Sequence, residues 1–213
     1  MKTITTQGII LKRISYKDAD RILTVYTKDL GKITILAKGI RKMKSRKRGD
    51  LELFNNTKFH LAKGKTWYIA TQTELINDFN NIKNDNESTL FSFLIAEIFE
   101  KLTNEEEENS RLYNFVIKTL ETLNDYPKNI HILNAFQIKI LNMSGFFNRN
   151  KMSVILTTTE NEYINRLLKE RLDTIKEIDE KSYSKDIAKK INRLLINQTE
   201  EILDRKLKTR INF

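Results

Sequence analysis

Apolar and polar positions alternate along the first 80 residues. GIILKRI (8–14) is apolar and β-branched. RILTVYTKD (21–29) alternates, with Ile22, Thr24 and Tyr26 on one side and Leu23, Val25 and Thr27 on the other. KITILAKG (32–39) alternates again, and Asp29-Leu30-Gly31-Lys32 between them has turn chemistry, Gly31 supplying a positive φ. FNNTKFHLAKG (54–64) and KTWYIATQTE (65–74) follow, joined at Lys63-Gly64-Lys65. Short period-two strands joined by tight turns predict a small antiparallel barrel. A five-stranded oligonucleotide/oligosaccharide-binding (OB) barrel has this size and strand count. Other small barrels share the periodicity.

INDFNNIKNDNES (76–88) is polar and Asn-rich and reads as a linker. Beyond it the period becomes helical. Leu90, Phe91, Leu94, Ile95, Ile98, Phe99 and Leu102 form one stripe, with Ser88 as its expected N-cap. Leu112, Phe115, Val116, Thr119, Leu120 and Leu123 form a second. NIHILNAFQIKILNMSG (129–145) is apolar nearly all round and predicts a buried central helix, with Pro127 before it and Gly145 at its end. Further helices are expected over roughly 160–178 and 184–208. The expected architecture is α+β and multidomain: an OB barrel over 1–80 and an all-α domain over 81–213.

Charge sharpens that division. The net charge is +10, and residues 1–80 hold 17 Lys and Arg against 7 Asp and Glu. Residues 81–213 hold 21 of each. A polyanion-binding module followed by a neutral one gives this split; evenly spread surface lysine does not. The chain has no cysteine, which excludes disulfides and thiolate metal sites. There is no signal-peptide core and no apolar run of membrane-spanning length, so a cytoplasmic location is expected.

Motifs for covalent chemistry fail on inspection. Gly64-Lys65-Thr66 resembles the end of a P-loop, but position 59 is Phe and a strand-like stretch follows. His60 and His131 stand apart without a zinc motif and read as structural. Glu105 to Glu108 are consecutive, so they do not face one another and read as a solvated helix–helix connection. Asp18, Asp20 and Asp29 are the acidic candidates on the N-terminal side of the basic segment, too few a basis for a nuclease. No enzyme activity, metal or cofactor is expected.

RKMKSRKR (41–48) is different: six of its eight residues are basic. Alone it reads as a solvated loop or a localisation tag. Between two barrel strands, in the half with all the excess charge, it reads as a phosphate grip. Tyr26, Phe59, Trp67 and Tyr68 add stacking platforms, about half of which belong in the core.

Residues 8–54 strongly resemble the N-terminal domain of the bacterial RecO family. The resemblance rests on Gly8-Ile9-Ile10-Leu11, Asp20-Arg21-Ile22-Leu23-Thr24, Gly31-Lys32, Ala37-Lys38-Gly39, Lys44-Ser45-Arg46, and Leu51 with Phe54, in that order and spacing. LKTRINF (207–213) is similar to that family's Leu-Lys-Ser-Arg ending. The resemblance implies an N-terminal OB domain, a helical C-terminal domain, and binding of single- and double-stranded DNA. It also implies strand annealing, and action with RecR to load RecA onto strands coated by single-stranded-DNA-binding protein (SSB). Many relatives carry a four-cysteine zinc site after the central helix; residues 146–163 here have no cysteine. Met43 and Leu53 stand where prolines are common.

The expected DNA track is Lys38, Arg41, Lys42, Lys44, Arg46, Lys47 and Arg48, extended by Lys12, Arg13 and Arg21, with Trp67 and Tyr68 as aromatic contacts. The helical half is the expected receiver of SSB's acidic, Phe-ending tail, with Arg111, Lys118 and Lys139 as its cationic rim. The rival reading is an RNA-binding OB protein of ribosome assembly or translation, which the charge split fits equally well.

Overall fold

The computed structural model describes residues 3–42, 49–149, 156–178 and 182–211. They divide into two compact units. One takes 1–80 and 103–117, the other 81–102 and 118–213.

In the first unit five strands close into a barrel: β1 (Thr3–Tyr16), β2 (Asp20–Thr27), β3 (Gly31–Ala37), β4 (Asn56–Lys63) and β5 (Tyr68–Asn77). Their order is β1-β2-β3-β5-β4, with β4 returning to β1. β1 is long enough to serve two neighbours, pairing β4 along its first half and β2 along its second. Gly8 sits where the two pairings overlap, opposite both Thr27 and Thr57. A Cβ there would lie 2.5 Å from Val25 Cγ1, so only glycine lets the strands approach. Four pairings are antiparallel, as expected; β3 and β5 run parallel through Ile35↔Tyr68 and Leu36↔Ile69. Side chains alternate with period two in either direction, so alternation could not reveal this. Ile10, Leu23, Val25, Ile35, Phe59 and Leu61 fill the interior.

The second unit is helical. Its elements are α1 (Asn80–Lys83), α2 (Asn86–Leu102), the C-terminal part of α3 (Ser110–Asp125), α4 (Ile130–Met143), α5 (Thr158–Lys169), α6 (Leu172–Ile175) and α7 (Lys185–Leu203). α4 is buried nearly all round and packs on α2, α5, α6 and α7. Asn129 caps it by accepting from His131 N–H, and Gly145 follows it at φ +75°. Three polar core residues, Asn134, Tyr163 and Asn192, pair with one another. Asn134 donates to the Tyr163 hydroxyl and the Ala188 carbonyl, and accepts from Asn192.

Two local expectations change. The stretch 76–88, where the first unit gives way to the second, is structured rather than a loose linker: β5 runs to Asn77, α1 starts at Asn80, and Phe79 and Ile82 are fully buried. Its two buried apolar residues are enough to tie it down despite five asparagines. The cap of α2 is Asp85, which accepts from both the N–H and the hydroxyl of Ser88. Ser88 lies inside the first turn.

Candidate nucleic-acid interface

The solvent side of the barrel carries one continuous row of aliphatic residues. Ile14 pairs with Ile22, Ile22 with Leu36, and Leu36 with Ile69, across β1, β2, β3 and β5. Ile14 is 47% exposed and the other three are half-buried. The adjoining row is Lys12, Thr24 and Thr34. At one edge the Trp67 ring meets Tyr16 edge-on, with centroids 5.5 Å apart, and Lys17 Nζ lies 5.4 Å from the Tyr16 centroid. Trp67 ends the β4–β5 turn, which Gly64 N–H closes by donating to the Trp67 carbonyl. That turn is the hairpin expected at Gly64-Lys65-Thr66. Beside it lies a cleft of about 330 Å³ whose lining includes Lys63, Lys65, Trp67 and Tyr68, with Glu105 and Glu106.

The expected track falls into three groups. Lys12, Lys38, Arg41 and Lys42 are exposed and make no ion pair among the described residues. Arg13 and Arg21 both pair with Glu52. Lys44, Arg46, Lys47 and Arg48 lie outside the described residues, as does Met43. What the structure defines is the two anchors of that segment. On the entry side, Gly39 N–H donates to Asp20 Oδ1 and Arg41 N–H to the Ala19 carbonyl, while Ile40 is buried. Among the described residues Asp20 thus holds backbone and no cation. On the exit side Leu51 and Phe54 enter the barrel, and Asp50 accepts from the Thr73 hydroxyl. Leu53 packs partly against the core.

Of the four aromatic candidates, Phe59 and Tyr26 are buried, and Tyr68 packs against the core from a half-buried position. Burial, then the nearby Glu107, pushes the Tyr26 hydroxyl up to about 12. Trp67 remains as the outward ring. Sequence reasoning missed Tyr16, Lys17, Lys63 and Lys65, although the run Tyr16-Lys17-Asp18 beside a turn was visible. It also missed the acidic run's attachment: Glu106 N–H donates to the Lys32 carbonyl, so Glu105 to Glu108 keep solvated side chains while their backbone docks on β3.

Arg111, Lys118 and Lys139 are each placed separately. Arg111 is exposed in the first unit. In the second, Lys118 is held by Asp173 at 2.9 Å, whose hydrogen bond raises its pKa. Lys139 donates to the Leu168 carbonyl at 2.9 Å, and burial lowers its pKa.

Comparison with known proteins divides the chain near residue 80. The family described as "Recombination protein O N terminal" matches residues 1–79, and "Recombination protein O C terminal" matches 84–149. The chain belongs to the RecO family. Among RecO relatives, the DNA repair protein RecO of Alkaliphilus metalliredigens is 33% identical over 143 residues, which is 67% of this chain and 58% of that protein. The RecO of Roseiflexus sp. is 33% identical over 141 residues, 66% of this chain and 50% of its own length. That of Dehalococcoides mccartyi is 34% identical over 141 residues, 66% of this chain and 56% of its own. The match therefore spans only about half of these RecO proteins. The zinc site carried by many RecO relatives does not fit this chain, which lacks the four thiolates it requires. Among the described residues no helix is long and apolar enough to cross a membrane.

Proposed function

We propose that this RecO-family chain handles DNA strands in repair and recombination. It binds single- and double-stranded DNA, anneals complementary strands and, with RecR, helps RecA load onto SSB-coated single strands. The observation that carries this is the aliphatic row Ile14–Ile22–Leu36–Ile69, with Lys12, which makes no ion pair among the described residues, in the adjoining row, and the Tyr16–Trp67 pair at one edge. An aliphatic row accepts the faces of bases but offers their edges no hydrogen bond. The Watson–Crick edges stay free for a second strand, which is what annealing requires. Lys12, Lys38, Arg41 and Lys42, with the basic segment beyond them, take the phosphates and release their counterions. No bond is made or broken; the work is the lowering of strand–strand repulsion. The helical unit remains the proposed receiver of the SSB tail, with Lys118 and Lys139 as its candidate cations; Arg111 belongs to the barrel unit and drops out of that rim.

The test is annealing of complementary oligonucleotides coated with SSB, with and without RecR. Acceleration is expected, and an unchanged rate would remove the reading. Replacing Arg46, Lys47 and Arg48 with Gln should weaken all DNA sequences alike and flatten the salt dependence by about 2 in slope, at ~0.7 per phosphate lost. Trp67→Ala should cost ~1–2 kcal/mol of single-strand affinity through lost stacking, about five- to thirtyfold.

A further inference from the structure

Arg13 on β1 and Arg21 on β2 belong to the expected phosphate track, yet both are already engaged. The Oε2 of Glu52 pairs with Arg13 Nη1, and its Oε1 lies 3.6 Å from Arg21 Nη1. One carboxylate serves two guanidiniums, so the trio keeps a net positive charge. Both Nη1 atoms are shut off from solvent, and neither makes a well-aligned hydrogen bond. Guanidinium prefers two parallel bonds to one oxyanion, and neither arginine has them. The Glu52 side chain itself is 39% exposed.

The backbone under Glu52 is fixed. Leu51 and Phe54 are buried in the barrel, Phe54 N–H donates to the Ile10 carbonyl, and the Asp50 carbonyl accepts from Thr57. Only the Glu52 side chain is left to move, and it has solvent to move into.

We propose that Glu52 occupies a phosphate subsite formed by Arg13 and Arg21, and that a backbone phosphate of a bound strand displaces it. This rests on reading the barrel as a DNA-binding surface. A phosphodiester carries the same single charge as a carboxylate, on two exposed oxygens similarly able to face two guanidiniums. The exchange is neutral in charge: Glu52 swings into water and a phosphate takes its place. Because the carboxylate is tethered, its effective concentration is high, and isolated phosphate ions compete poorly with it. A strand already held by neighbouring cations gains the same tethered advantage. The subsite thus selects continuous backbone over single anions.

The experiment titrates a fluorescent oligothymidylate into the full chain by anisotropy, at several salt concentrations. It compares wild type, Glu52→Gln, Glu52→Asp, Arg13→Gln/Arg21→Gln, and that double variant combined with Glu52→Gln, each checked for an unchanged melting curve. Expected is a three- to tenfold gain for Glu52→Gln and a smaller gain for Glu52→Asp, which keeps the charge but shortens the reach. The gain should vanish when both arginines are gone. An equal gain in the arginine-free background would mean simple charge removal and overturn displacement. So would a loss on Glu52→Gln, which would make Glu52 a positioning residue for the arginines. Binding without this coupling rejects displacement alone; no binding by any variant rejects it together with the DNA-binding reading.

Discussion

Glu52 in the barrel unit and Glu200 in the helical unit are both shared by two cations, in opposite settings. Glu52 is 39% exposed, and its arginines keep unsatisfied donors. Glu200 is 5% exposed and accepts from Lys206 at 2.6 Å, from Arg210 at 2.7 Å and from Leu207 N–H at 2.9 Å. Glu97 and Glu160 follow Glu200: the first accepts from Lys208 and Thr209 N–H, the second from Lys190 and Thr157 N–H. In the helical unit these three carboxylates each accept several hydrogen bonds and pin the chain. On the barrel face Lys12, Lys38, Arg41 and Lys42 make no ion pair among the described residues, and Arg13 and Arg21 share one exposed carboxylate. The difference teaches where to look for a ligand: at charge the fold leaves unsatisfied, more than at charge in bulk.

The largest effect tests what belongs to the barrel. With residues 103–117 included, that unit holds 18 Lys and Arg against 11 Asp and Glu, a net of +7. The acidic run therefore offsets part of the barrel's charge, and it does so through Gly31. That residue has φ +65°, and a Cβ on it would lie 2.1 Å from the Glu107 carbonyl oxygen. Gly31→Ala should destabilise the protein by about 2–4 kcal/mol, from left-handed strain and the clash together, read by urea unfolding. Gly31→Asn separates the two causes, since Asn tolerates the left-handed region but not the missing space. A harmless Asn would detach the acidic run from the barrel.

The next effect is the helical unit's response to acid. Desolvation pushes the Glu200 carboxyl up, but the bonds from Lys206, Arg210 and Leu207 outweigh it and hold it at about 2. A depressed folded pKa stabilises above the unfolded value near 4.5 and loses that contribution as pH falls toward 2. Lys206 and Arg210 are 76% and 52% exposed, so solvent screening reduces the loss to about 1–2 kcal/mol. Glu97 and Glu160 are lowered too and add in the same direction. Melting temperature should fall from about pH 5 down to about pH 2, and Glu200→Gln should flatten that fall. An equally steep fall would mean that other carboxylates control it.

These two tests mark what the sequence could and could not reveal. The barrel strands, the central helix and its Gly145 end follow from local period and turn chemistry, whereas its Asn129 cap was not read from the sequence. Gly31 was legible as a turn residue; its second reason, the passing backbone of Glu107, was not, because a contact 76 positions away leaves no local signal. The basic candidates were legible as composition. That Glu52 holds two of them depends on strand register, which brings Arg13 and Arg21 onto neighbouring strands. The aliphatic row was hidden for the same reason: its four members come from four strands, and each alone looks like an ordinary strand residue.

The smallest expected effect is a null that sharpens the comparison. Lys58 lies on β4 between Gln7 of β1 and Glu74 of β5, and pairs with Glu74 at 3.2 Å. Both ends are exposed, at 40% and 67%, so the pair contributes at most about 0.5 kcal/mol to stability. Glu74 serves one cation, where Glu52 serves two. Lys58 is therefore matched charge for charge and leaves no unsatisfied donor to recruit a phosphate. Its strand also contributes nothing to the aliphatic row. Lys58→Gln should leave single-strand affinity within about twofold and the salt slope unchanged, although it removes the same formal charge as Lys42→Gln. Anisotropy titrations of the two variants side by side decide the matter. Equal losses would mean that the barrel binds DNA by total charge alone. A loss confined to Lys42→Gln would show that unmatched charge, placed beside the row, carries the binding.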